Sequence, residues 1–355
     1  MVKINERQTE ILHIIPANQP VSSGEIQKIL TNSVHSASFV TLKRDLAFLK
    51  KNRFIACTGS ARARTYSITP LYKLMKPVQI SKYFSGERRA EEIQTRFNQS
   101  IFSILQKTAL LNTQERKMLQ NTTDAARTRK KYVPPAIKKQ ELERFIIEFS
   151  WKSSRIEGNT YTLLETENLI KKHTSAKGKK IEEARMILNH KDAMTFVLSH
   201  PKKFRKLSIA DIEYLHEILT KNLEISGNIR KTAVGITGTY YRPLDNLYQI
   251  QEAIKDACNT VNKIKNPFEK TIVAISLLAY IQPFEDGNKR TSRMVGNALL
   301  LAYNKLPLSY RATDEEEYKK AILLFDEQNN LSYFKELFMK QYEFVARNYF
   351  KIRNP

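Results

Sequence analysis

Apolar residues along this chain recur mostly at spacings of three and four, so the pattern predicts a mainly helical protein with a few short extended runs. Residues 5–15 predict a first helix, with Ile11, Leu12, Ile14 and Ile15 toward a core. Ser22 and Glu25 form a capping-box start for a second over 22–30. A third spans 36–51, with Phe39, Val40, Leu42, Leu46 and Leu49 inward and Lys43 and Arg44 outward. Residues 54–58 and 64–68 are strand-like and flank a basic five-residue tip, which predicts a hairpin. Further helices are predicted over 93–111, 181–198 and 208–219, and around Leu142, Phe145, Ile146 and Phe149. Residues 126–135 are basic and end in two prolines, which predicts a linker. Residues 233–242 are rich in β-branched and aromatic side chains, contain two glycines and stop at Pro243, which predicts a second hairpin. The segments 271–281 and 294–303 are almost wholly apolar and predict buried helices.

Between those two buried helices lies the most informative stretch, residues 282–293, with Glu285, Asp286, a Gly287-Asn288 pair, Lys289, Arg290 and Arg293. A polar turn entering a helix presents unpaired N–H groups and a positive dipole end. With three cations added, the turn is an anion cradle suited to phosphates. Glu285 and Asp286 are the groups there able to hold magnesium, which binds through one or two carboxylates plus phosphate oxygens.

This stretch resembles the signature of the Fic family, His-x-Phe-x-Asp/Glu-Gly-Asn-Gly/Lys-Arg-x-x-Arg, at Phe284, Asp286, Gly287, Asn288, Arg290 and Arg293. The resemblance implies transfer of AMP from ATP to a hydroxyl of a target protein. It makes Asp286 the Mg2+ ligand and Gly287, Asn288, Lys289, Arg290 and Arg293 the phosphate-binding set. The chain departs from the pattern at the catalytic position, where Gln282 stands in place of the histidine that accepts the hydroxyl proton. A glutamine amide has no titratable site near neutral pH, so it cannot be the general base. Lys289 is a second departure and resembles the Doc branch, which implies a kinase as an alternative; the Asp-Gly-Asn setting favours AMP transfer.

Ser153 and Glu157, in Ser153-Ser-Arg-Ile-Glu157-Gly158, resemble the Ser/Thr-x-x-x-Glu-Gly/Asn motif of family members that inhibit themselves. By that resemblance Glu157 pairs with Arg293 and fills the γ-phosphate place, at the end of an inhibitory helix over 138–158. The 233–242 hairpin, led by Gly227 and Arg230, resembles the family's flap, with Thr237, Gly238, Thr239 and Tyr240 aligning a target strand by backbone hydrogen bonds. The helix over 181–198 resembles the one that precedes the family's hairpin. The six histidines all lie outside the signature; His190 and His216 are the first alternatives for a displaced base.

Net charge changes the picture further. With 59 basic against 36 acidic residues, +23 in all, the chain is suited to nucleic acid or an acidic partner. The first 70 residues are similar to a winged helix-turn-helix, in which Ser36, Ser38, Thr41, Lys43 and Arg44 face a major groove and Arg62 and Arg64 reach phosphates or the minor groove of double-stranded DNA. The same fold also serves as a protein-interaction module. Two unrelated cysteines, Cys57 and Cys258, argue for a reducing compartment and against a zinc site. The first residues lack a signal-peptide core, and the longest apolar run is too short for a bilayer, so a cytoplasmic, non-membrane protein is expected.

The expected fold is therefore mainly α: a winged helix over 1–70, a helical linker region over 71–137, and a Fic-type bundle with a β-hairpin flap over 138–350. The expected function is a self-inhibited adenylyltransferase impaired by Gln282, using ATP and Mg2+ on a Ser, Thr or Tyr hydroxyl of a target or of itself. A catalytically silent ATP-binding transcriptional regulator is the rival reading, and a homodimer is left open.

Overall fold

A computed structural model describes residues 4–15, 19–60, 63–86 and 93–349. It is mainly helical and divides into two compact units, residues 1–86 with 329–332, and 87–328 with 333–355.

The first unit begins with α1 (Glu6–Ile14), β1 (Val21–Ser22), α2 (Ser23–Thr31) and α3 (Phe39–Lys51). Then come β2 (Ile55–Thr58), β3 (Thr65–Ile68), α4 (Pro70–Met75) and α5 (Ile80–Phe84). The strands form one antiparallel sheet in the order β1-β3-β2, with Val21 opposite Tyr66 and Cys57 also opposite Tyr66. Reciprocal capping boxes, Asn5 with Gln8 and Ser22 with Glu25, start α1 and α2. Ile11, Leu12, Ile26, Leu30, Leu42, Leu46 and Leu49 pack with Phe54, Ile55 and Tyr66 into one core. Buried Asp45 is held by Arg7 Nε at 2.6 Å and Gln8 Nε2 at 2.9 Å, so its charge is compensated. Phe39 and Val40, expected inward, are exposed, because α3 begins only at Phe39 and its buried stripe runs through Leu42, Asp45, Leu46 and Leu49. Lys43 Nζ sits 4.7 Å from the centre of the Phe39 ring.

The second unit comprises α6 (Ile101–Lys107), α7 (Thr113–Tyr132), α8 (Pro135–Ile156), α9 (Leu163–Lys172), α10 (Ile181–Ser199) and α11 (Ile209–Thr220). It continues with α12 (Leu247–Lys263), α13 (Pro267–Ile281), α14 (Asn288–Ala302), α15 (Glu315–Gln328) and α16 (Ser332–Asn348). At its centre α13 packs along α14, and every residue of α13 from Phe268 to Ile281 is buried. Gly296 allows that approach: a Cβ there would lie 2.5 Å from Ile275 Cδ1 and 2.7 Å from Cγ1. Asn266 caps α13 by accepting from Phe268 N and Glu269 N, with Pro267 in the first turn, where its missing N–H costs nothing. Buried Glu269 accepts from Leu110 N, Leu111 N and Arg116 Nε, tying the 108–116 segment to this core.

Three further expectations are overturned by the structure. Of the helix expected over 93–111, only Ile101–Lys107 forms, because Gln94 Nε2 and Asn98 N donate to Tyr280 Oη at 2.8 and 2.9 Å and hold the preceding residues extended. The linker expected over 126–135 is helical to Tyr132, and the break falls at Val133 and Pro134, after which Pro135 opens α8. The 233–242 segment forms no hairpin ladder: among the described residues its single β contact is an isolated bridge from Arg242 to Arg96. Arg230 holds both ends of that segment, Nη1 donating to Thr232 O at 2.6 Å and Nη2 to Leu244 O, while Gly238 takes φ +88 and turns the chain.

Candidate active site

Helix α13 stops at Ile281 because Gln282 takes the left-handed region, φ 50, and is followed by Pro283. Proline disfavours the helical conformation in the residue before it. The Gln282 amide is buried, and its Nε2 donates to Ala279 O at 2.5 Å. Its backbone oxygen accepts from Arg230 Nε at 2.6 Å, and Arg230 N donates to Pro283 O at 3.0 Å. Arg230 thus fixes the start of the loop.

Asn288 fixes the rest. Its side chain accepts from Phe284 N and donates to Phe284 O, both at 2.8 Å, closing residues 284–288 into a tight turn. Phe284 stacks on His216 with ring centres 3.7 Å apart. Gly287 starts α14 with φ 78, and a Cβ there would lie 3.1 Å from both His216 Cε1 and Thr220 Cγ2, so glycine is required on two counts.

The cations of α14 differ sharply in their partners. Arg290 is 2% exposed; its Nη2 donates to Asp286 Oδ2 at 2.9 Å, while its Nη1 is buried without a hydrogen-bond partner among the described residues. An orphaned buried cationic donor is costly, and an incoming anionic oxygen would satisfy it. Arg293 is fully buried and each of its three side-chain nitrogens has a partner: Nη1 donates to Glu157 Oε1 at 2.7 Å, Nε to Ser153 Oγ at 2.9 Å and Nη2 to Ser153 O at 2.8 Å. Burial is the largest single influence and pulls its pKa down, but the Glu157 charge and hydrogen bond together with Tyr318 and Tyr310 outweigh it, and the net shift is upward.

Ser153 and Glu157 reach Arg293 because α8 ends there. Glu157 is its C-cap and Gly158, φ 94, turns the chain away. Lys152 Nζ and Arg155 Nε each meet Glu315 at 2.9 Å, and the Arg293 guanidinium lies 5.3 Å from the Tyr318 ring centre, so α15 braces the same corner. Sequence reading missed Glu315 and Tyr318; separated from α8 by about 160 residues, they carry no local signal.

His190 Nε2 lies 2.9 Å from Ser153 Oγ. Arg293 has donors only, so Ser153 Oγ accepts from Arg293 and turns its single proton to His190 Nε2. His190 Nδ1 then donates to Met186 O at 2.8 Å. Burial, with Arg290 and Arg293 adding to it, lowers the His190 pKa to about 3. His216 is lowered to about 4, again mainly by burial, and its ring nitrogens meet Thr291 Oγ1 and Ser226 O. Both rings are engaged in packing and hydrogen bonds, and neither lines the pocket beside Gln282.

That pocket, about 190 Å3, is lined by Glu157, Thr237, Gln282, Glu285, Asp286, Gly287, Asn288 and Lys289, together with residues 234–236. It is smaller than the ~300–1,000 Å3 of ordinary small-molecule sites, and Glu157 forms part of its wall. Of the four flap residues, Thr237 lines it; Gly238 and Tyr240 are exposed, and Thr239 Oγ1 accepts from Tyr241 N. For magnesium, Asp286 offers a carboxylate that is 69% exposed and lines the pocket. The described residues hold no cluster of three or more metal-ligating side chains. One carboxylate completed by ligand phosphates and water still fits magnesium. Lys43, Arg44 and Arg64 are exposed on the first unit, with Thr41 half-buried; Arg62 lies outside the described residues. No helix among the described residues is long and apolar enough to cross a membrane.

Residues 206–300 match the family model described as Fic/DOC family. The protein adenylyltransferase Fic of Nematostella vectensis is 29% identical over 185 residues, 51% of this chain and 43% of that protein. Its counterpart from Drosophila willistoni is 27% identical over 180 residues, 50% of this chain and 36% of that protein. The chain spans less than half the length of these curated relatives. Fic-1 (residues 134–508) from C. elegans superposes with a TM-score of 0.56 at 24% identity, over 66% of this chain and 71% of that one. A Fic domain containing signalling protein from Bacteroides thetaiotaomicron gives 0.54 at 18%, over 68% of this chain and 100% of that one. At these identities the structural likeness speaks to the fold.

Proposed function

Because residues 206–300 match the Fic/DOC family model, we propose that this chain is a self-inhibited protein adenylyltransferase impaired at its catalytic position. It takes ATP as AMP donor and a Ser, Thr or Tyr hydroxyl, of a target protein or of itself, as acceptor. The name carried by the curated relatives, protein adenylyltransferase, supports the reaction class. The observation that carries the reading is the clamp on Arg293, each of whose three side-chain nitrogens donates to Glu157 or Ser153 beside a pocket built from the anion-binding turn.

In this reading Arg290, Lys289 and the N-terminal turn of α14 hold phosphate oxygens, and Asp286 would hold magnesium, which would supply neutralisation of phosphate charge. Arg293 receives the terminal phosphate only after Glu157 leaves it. Gln282 can orient an acceptor hydroxyl but cannot take its proton. The test is incubation with ATP labelled separately at the α- and γ-phosphates, using this chain, Glu157→Gly, Gln282→His and the double variant. Label from the α position is expected, weak in this chain and in either single variant and strong in the double variant; label from the γ position would make the chain a Doc-like kinase.

A second reading is a silent ATP-binding regulator. It is favoured by the Gln282 side chain, which is committed to Ala279 O. ATP binding without transfer of either label, even in the Glu157→Gly, Gln282→His double variant, would select it. For residues 1–70 we propose a winged helix that binds double-stranded DNA, supported by the helix–strand order, the three-stranded antiparallel sheet and exposed Lys43, Arg44 and Arg64. Exposed Val34, Phe39 and Val40 favour a protein partner instead, and a salt-sensitive shift of duplex DNA decides between the two. A cytoplasmic location follows from the same reading.

A further inference from the structure

His190 is wholly buried where α10 packs on α8. Its Nδ1 bonds to Met186 O at 2.8 Å, four residues earlier on the same helix, and the Phe149 ring of α8 meets the imidazole edge-on with centres 6.0 Å apart. A carbonyl only accepts, so Nδ1 carries the ring proton and Nε2 of the neutral ring is left as an acceptor. Burial, joined by the charges of Arg290 and Arg293, keeps the ring neutral. That acceptor faces Ser153 Oγ at 2.9 Å.

Ser153 lies inside α8, where a serine hydroxyl ordinarily donates back to the carbonyl four residues earlier. Here its bonds run across to His190 and Arg293 instead. With its proton given to His190 Nε2, Ser153 Oγ presents a lone pair to Arg293 Nε at 2.9 Å, and Ser153 O takes Nη2 at 2.8 Å. One residue therefore grips one side of the guanidinium. Without an acceptor at His190, the serine proton would be orphaned or would swing toward Arg293, donor against donor. The third nitrogen is held differently: the partner of Nη1 is Glu157, whose side chain is 20% exposed.

We propose that His190 is a positioning residue for Arg293, acting through Ser153: the Ser153 side of the guanidinium stays fixed, and nucleotide binding exchanges only the partner of Nη1, Glu157 for a terminal phosphate. This deepens the self-inhibited reading, on which it rests: the carboxylate moves and the arginine does not. An arginine already aimed loses little conformational freedom when the phosphate arrives, so the same grip serves the open pocket and the closed one.

The experiment is calorimetric titration of the whole chain carrying Glu157→Gly, which opens the clamp, with ATP and with ADP, which lacks the terminal phosphate. Adding His190→Phe or Ser153→Ala should each weaken ATP about tenfold, the fold-change for one hydrogen bond to a charged group, and ADP by less than about twofold. The two together should cost no more than either alone, because they break one chain of bonds. His190→Gln, whose side-chain oxygen can accept the serine proton, should keep ATP within about threefold of the Glu157→Gly value. Ser153→Ala removes one buried hydroxyl and carries the test should His190→Phe fail to fold. Undiminished ATP affinity, an equal loss for ADP, or additive losses would each overturn the proposal and leave the nucleotide site in place. If Glu157→Gly bound no ATP, or bound it equally well with Arg293→Ala, the self-inhibited reading would fall and this proposal with it.

Discussion

Replacing Glu157 with glutamine tests the clamp on Arg293 at its charge alone. Glutamine keeps an oxygen acceptor for Arg293 Nη1 and keeps the helix end, so what is removed is the negative charge beside a guanidinium with no exposed surface. Removing one partner of a buried ion pair costs ~3–5 kcal/mol, because the other charge is left uncompensated. Here Ser153 still accepts two of the guanidinium N–H groups, and the Glu157 side chain is 20% exposed. Both facts reduce the loss, and about 2–3 kcal/mol is expected. For a unit of this size each kcal/mol moves Tm by ~2–4 °C, so unfolding of the second unit should fall by about 4–12 °C. The same variant weakens the hold on Arg293 by removing its counter-charge, so saturating ATP should raise the variant's Tm more than that of the unaltered chain. Calorimetric melting with and without nucleotide reads both effects. An unchanged Tm, or a nucleotide shift no larger than in the parent, would refute the account of the clamp.

The remaining predictions concern the missing base, acid sensitivity and DNA. Auto-modification from α-labelled ATP should stay low in Glu157→Gly and in Gln282→His, yet rise ~100-fold or more in the double variant, since a general base contributes ~100- to ~10,000-fold only once the clamp opens. Equal activity in Glu157→Gly and the double variant would show that another group takes the proton. His190 and His216, held neutral to about pH 3 and 4, bind protons more readily when unfolded; stability is therefore full above ~6.5 and is lost as pH falls below it. Each histidine adds at most ~1.4 kcal/mol per pH unit, so His190→Gln should flatten the fall in unfolding free energy between pH 6.5 and 5.5. An identical slope in the variant would count against the buried, neutral ring. Duplex binding should weaken steeply with salt, and removing Lys43 should lower the log–log slope by ~0.9; a salt-independent shift would point to a non-electrostatic contact.

The sequence by itself determined what depends on local pattern. Unbroken apolar runs specify α13 and much of α14, spacings of three and four specify α10 and α11, and Ser22-to-Glu25 specifies the start of α2, because helix periodicity and caps act within one or two turns. The turn at 282–288 was legible for the same reason: proline, glycine and asparagine there impose their own geometry. Only the tertiary structure decided where the long-range hydrogen bonds go. It holds residues 94–98 extended through Tyr280, turns 233–242 into a loop tethered by Arg230, and leaves Phe39 and Val40 outside. It also joins Ser153 to both Arg293 and His190 and braces α8 with Glu315 and Tyr318. Apart from the Arg230 tether, those contacts span tens to more than a hundred residues, and such pairings are set by which buried polar groups must be satisfied after the helices have packed, which no local periodicity records.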